Sequence, residues 1–152
     1  MSNLSSTVLF DVVRGWPDGA AVEECFPPTS GSTVLEGELV VLAADGTVDV
    51  PASIATEGGT TRTRLYLVIQ GNDQSDANYV GKVVCLRGNL TIETEKFVGA
   101  IGNYTVGELV TVDVAGADAG QITERTGANE QIVGMVEAVN STAGKITVAL
   151  SL

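Results

Sequence analysis

Valine sets the first limit on this chain, supplying 22 of its 152 residues. Side chains branched at Cβ are stiff at χ1 and suit the pleated, half-buried surface of a sheet better than a helix. From Thr33 onward the apolar residues gather in runs of strand length, at 37–42, 64–70, 81–86, 90–95, 108–114, 131–139 and 145–150. Turn chemistry separates the runs: Ala44-Asp45-Gly46, Gln70-Gly71-Asn72-Asp73, Arg87-Gly88-Asn89, Ala115-Gly116-Ala117 and the stretch from Asn140 to Gly144. Asp45-Gly46 predicts a tight hairpin joining 38–42 to 47–50. No segment keeps a helical period, and the best helical candidate is a single turn at 73–78, capped by Asp73. The expected fold is all-β, a small β-barrel or sandwich.

The chain divides near residue 34. Before that point lie two clusters of breakers, Trp16-Pro17-Asp18-Gly19 and Phe26-Pro27-Pro28-Thr29-Ser30-Gly31-Ser32. Residues 1–34 therefore read as an extended N-terminal arm and linker, and 35–152 as the β domain. The arm carries Val8, Leu9, Phe10, Val12, Val13, Trp16, Val22 and Phe26, more apolar surface than a disordered tail holds. Either it packs on its own domain or it reaches a neighbour. Its rigid aromatics Phe10, Trp16 and Phe26 are the candidate partner contacts, with ordinary core duty as the competing reading.

The β domain also echoes itself. Gly37-Glu38-Leu39-Val40-Val41-Leu42 returns as Gly107-Glu108-Leu109-Val110-Thr111-Val112. Val80-Gly81-Lys82-Val83-Val84 parallels Val133-Gly134-Met135-Val136-Glu137, and Gly88 to Ile92 parallels Gly144 to Val148. The echoes, at 37–92 and 107–148, predict a duplicated β unit completing one core, with an insertion at 51–63 in the first half.

Composition narrows the chemistry. At 15.6 kDa the chain is one domain's worth and needs no staple to fold. The formal charge of −11 opposes binding to phosphate backbones, so no nucleic-acid partner is expected. The chain has no histidine, which removes Ser-His-Asp and Cys-His catalysis, histidine-zinc sites and histidine pH switches. Cys25 and Cys85 fit no zinc spacing, and two reduced, mostly buried thiols are the plainer reading, with a single disulfide left open. The start has no basic region followed by a long apolar stretch, and no run approaches the ~18 apolar residues of a membrane span. A chain made in a reducing cytoplasm is expected.

The remaining motifs read structurally. Glu93 and Glu95 alternate on one strand face and look like a solvated pair rather than a glycosidase dyad. Asn72, Asp73, Asp76 and Asn78 could offer oxygens to calcium, but their spacing matches no EF-hand loop. Arg62 and Arg64 make no basic patch among five arginines and three lysines. No catalytic residue, metal ligand or cofactor site is expected, and the chain reads as no enzyme.

The pattern Gly37-Glu-Leu-Val-Val-Leu, then Asp45-Gly-Thr-Val, then Val80-Gly-Lys-Val-Val, then Gly144-Lys-Ile-Thr-Val-Ala-Leu resembles the capsid decoration (cement, head-stabilising) proteins of tailed bacteriophages. The resemblance covers about residues 35–152, and the apolar arm and the 51–63 insertion depart from it. It implies a non-enzymatic virion structural protein that binds the outer surface of an assembled capsid and stabilises it. The implied partners are the major capsid protein and sister copies in a homo-oligomer, commonly a trimer. It carries no catalytic residue onto this chain. The alternatives are another phage structural β protein, of tail tube or baseplate, and a carbohydrate or cell-surface binding module.

Overall fold

The computed structural model describes residues 10–15, 21–72 and 81–152. In chain order the strands are β1 (Phe10–Arg14), β2 (Val22–Phe26), β3 (Leu39–Leu42), β4 (Val48–Asp49), β5 (Leu65–Gln70), β6 (Val83–Arg87), β7 (Asn89–Thr94), β8 (Leu109–Val112), β9 (Ile122–Glu124), β10 (Gly134–Asn140) and β11 (Lys145–Ser151). They form two antiparallel sheets, one ordered β2-β6-β5-β3-β4 and the other β1-β7-β11-β10-β8-β9. The fold is sandwich-like, and neither sheet closes into a barrel. Each of the seven expected runs holds a strand, and Asp45-Gly46 turns β3 into β4. The helical turn expected at 73–78 lies outside the described residues.

Set β1 aside and the two sheets share one topology: β2 to β6 in the first correspond, in order, to β7 to β11 in the second. The register agrees strand by strand. Leu39 pairs with Leu67 and Leu67 with Leu86, while Leu109 pairs with Met135 and Met135 with Ala149. A bulge follows Val68, opposite Cys85, and another follows Val136, opposite Val148. Gly37 N–H donates to Val68 O at 2.8 Å, and Gly107 N–H to Val136 O at 2.8 Å. Both glycines stand at positive φ, 85° and 92°, where any other residue would be strained. The next residue in each unit turns its carboxylate back on the chain: Glu38 Oε2 accepts from Leu35 N–H at 2.8 Å, Glu108 Oε2 from Thr105 N–H at 2.9 Å. The molecule is a duplicated five-strand unit plus one extra edge strand.

This alignment keeps the first echo in register and shifts the other two. Topology sets Gly81-Lys82-Val83 of β6 against Gly144-Lys145-Ile146 of β11, and β10 answers to β5. The first unit is longer in two places, between β4 and β5 at 50–64 and between β5 and β6 at 71–82, so the 51–63 insertion is one of two.

The described part of the arm is two edge strands of this same domain. β1 pairs antiparallel with β7, and Arg14 forms an ion pair with Glu137 of β10. β2 pairs antiparallel with β6. Far edges are covered as well: past β2, Thr29 N–H donates to Val48 O at 2.9 Å, and past β7, Val98 N–H donates to Ile122 O at 2.8 Å.

Burial follows the two-residue alternation of the strands. One set of side chains in the first sheet, Val40, Val48, Tyr66, Val68, Val83 and Cys85, lines that unit's own interior with Val34. The alternate set, Leu39, Leu65, Leu67 and Leu86, joins Leu90, Ile92, Val110, Val112 and Leu150 of the second unit in one shared core. Both faces of the first sheet are therefore buried, which fuses the two units. At roughly 1.5–3 kcal/mol for each large apolar side chain fully buried, this junction is a principal source of stability.

Candidate functional site

The aromatic candidates separate. Phe26, at the end of β2, meets Tyr66 edge-to-face with centroids 5.2 Å apart at 71° and packs on the first unit's interior. A second edge-to-face pair, Phe97 and Tyr104, 5.1 Å apart at 69°, lies in the second unit. Neither ring of that second pair stands at a matching position, since Phe26 answers to Thr94 and Tyr66 to Gly134, where a Cβ would lie 2.5 Å from Ala149 O. Phe26 thus serves the packing of its own unit. Phe10 begins β1 opposite Thr94. Its side chain and all of Trp16 lie outside the described residues.

The polar motifs resolve into local structure. Asp45 Oδ1 accepts from Thr47 N–H at 3.0 Å and from the Thr47 hydroxyl at 2.7 Å, and these bonds hold its carboxyl below the usual range. Glu93 lies 3.7 Å from Lys145 Nζ on the neighbouring strand, and Glu95 is exposed. Asn72 is buried; its Oδ1 accepts from Val34 N–H at 2.6 Å and its Nδ2 donates to Ser32 O at 2.7 Å, so it ties the linker to β5's end. Asp73, Asp76 and Asn78 lie outside the described residues. Among the described residues, no three His, Cys, Asp or Glu side chains are grouped to hold a metal ion. Arg62 is held by Glu57 at 3.3 Å and Ile132 O at 2.8 Å. It lines, with Arg64, Gln131 and Leu152, a pocket of about 240 Å³, below the roughly 300–1,000 Å³ of small-molecule sites.

Cys25 and Cys85 are both free thiols. Cys85 faces Glu24 across the strand pair and Cys25 faces Val84, so the sulfurs point to opposite sides of the sheet and the disulfide alternative falls. Only Cys85 is buried, which corrects the expectation for Cys25, on an edge strand. Burial, with smaller contributions from Cys25 and Glu24, pushes the Cys85 thiol up to about 12. Glu38 is raised chiefly by burial, against the Leu35 N–H bond and Lys96, and Lys96 is lowered chiefly by burial.

Val22, Leu42, Leu109 and Met135 are large apolar side chains left exposed on a strongly acidic chain. Val22 stood among the apolar residues of the arm, but Leu42, Leu109 and Met135 did not stand out, because strand alternation alone does not say which face is covered. The first echo aligns Leu42 with Val112 and Leu109 with Leu39, while Val22 lies outside the echoes and Met135 meets Leu67 only in the strand register. The fold and surface together define a class: an all-β, duplicated two-sheet protein with large apolar side chains exposed on both units. No family model, curated protein or solved structure matches the chain.

Proposed function

We propose that this chain is a non-enzymatic virion structural protein that binds the outer surface of an assembled phage capsid and stabilises it. The partners in this reading are the major capsid protein and sister copies in a trimer. The observation that carries it is where the resembling segments lie. Gly37-Glu38-Leu39-Val40 and Gly107-Glu108-Leu109-Val110 open matching strands, and Gly81-Lys82-Val83 and Gly144-Lys145-Ile146 open their matching last strands. They are the frame of a doubled β scaffold, and a paired scaffold with its far edges covered suits a protein that adds rigidity to a shell. The acidic composition suits basic patches on a partner.

The test is binding of the purified chain to empty capsids assembled from the major capsid protein encoded in the same genome. Saturable co-sedimentation, with one chain bound per fixed number of capsid subunits, supports the reading. A chain that stays in the supernatant at every capsid concentration overturns it.

A further inference from the structure

The junction between the two units is used once inside the chain, and residues matching each of its two halves are left exposed on the other unit. On the first unit, Leu39 and Leu67 present a fully buried face to the shared core. On the second unit, Leu90 and Val112 lie in that core, and Gly120 O accepts from Leu39 N–H at 2.7 Å. The common register gives every one of these a counterpart in the other unit. Leu39 and Leu67 answer to Leu109 and Met135, which are 38% and 42% exposed. Leu90 and Val112 answer to Val22 and Leu42, which are 47% and 39% exposed. The Gly120 turn answers to the Gly46 turn, where a Cβ would meet nothing within 4 Å.

The first unit thus keeps Val22 and Leu42 exposed, beside a Glu24–Arg87 ion pair where the second unit has Ile92 and Leu150. The second keeps Leu109 and Met135 exposed, beside the buried Thr111 and Val133, while inside the chain the matching apolar groups are joined. We propose that a second copy of this chain occupies the Leu109–Met135 face, seating its Val22–Leu42 end there as the second unit seats on the first. Such a contact is heterologous, head to tail, so copies close into a ring or run on as a chain according to the angle between them. The inference rests on the internal duplication and stands without the capsid reading.

Blocking each surface separately tests it. Leu109→Glu charges the face and Leu42→Glu charges the end, and both positions are exposed in a single chain, so folding should survive; circular dichroism checks this. Met135→Glu and Val22→Glu form a second pair should either first variant misfold. Measured by sedimentation equilibrium of the full chain, the unmodified protein should gain mass with concentration. Each variant alone should associate about 100-fold more weakly, from an unpaired charge set in an apolar contact. An equimolar mixture of the face-blocked and end-blocked variants should form a one-to-one dimer and stop there, because one competent surface of each remains. A natural chain that stays monomeric to several hundred micromolar overturns the proposal. So do variants that associate like the unmodified chain, or a mixture that fails to pair, the pattern expected if the apolar face serves a different protein or meets itself.

Discussion

Leu67 and Met135 occupy the same place in the two units, each between its β3- or β8-type and β6- or β11-type neighbour, yet only Leu67 is covered. Replacing Leu67 by Ala removes about three carbons' worth of transfer energy, roughly 2.4 kcal/mol at 0.8 per buried methylene. A cavity term adds to it at the centre of a junction that cannot collapse, bringing the loss to about 3–4 kcal/mol. At roughly 2–4 °C per kcal/mol for a chain of this size, the melting temperature should fall by about 6 to 16 °C. Met135→Ala should cost under about 1 kcal/mol, since much of that side chain is already in water and no cavity forms. Thermal and urea unfolding followed by far-UV circular dichroism, in dilute protein, provide the comparison. Equal losses at the two positions, or a Leu67→Ala loss below about 1 kcal/mol, would refute the claim that one face of the duplicated unit is buried and its counterpart is not.

Thr111 is buried with its hydroxyl unpaired where the first unit has Val41, so Thr111→Val should raise stability by about 1 kcal/mol in chemical denaturation. Glu38 holds its proton more tightly folded than unfolded, so its ionisation weakens the fold as pH rises from the ordinary value of 4.5 through the raised one. Glu38→Gln should therefore be more stable than the natural chain at pH 7, and the gain should vanish below about pH 4; a gain that persists in acid would contradict this reading. Cys25 should react with a thiol reagent in the native state while Cys85, buried and raised to about 12, should react only on unfolding, which mass spectrometry of timed labelling resolves.

Much of the fold is legible because strand alternation and turn chemistry are local. Ile122–Glu124 of β9 is three residues long between a 3-10 turn and a loop, too short to show a period. Val22-Glu23-Glu24-Cys25-Phe26 reads as a linker because its two glutamates and the prolines beyond it mask an edge strand whose backbone bonds run to one side only. Register in the echoes depends on partners far away in sequence. Val80-Gly81 resembles Val133-Gly134 as closely as Gly81-Lys82 resembles Gly144-Lys145, and only the pairing of β5 with β6 and of β10 with β11 decides between them. The exposed apolar residues were hidden for the same reason, since Leu39 and Leu109 stand in nearly identical local sequence and differ only in what lies across from them.

The central functional claim meets its most direct test in virions produced from a genome lacking this chain. Such particles, heated in steps and scored for release of DNA, should fail at a lower temperature than complete ones, and adding the purified chain should restore the loss. Particles equally resistant without it, or unimproved by its return, would contradict a stabilising role on the capsid.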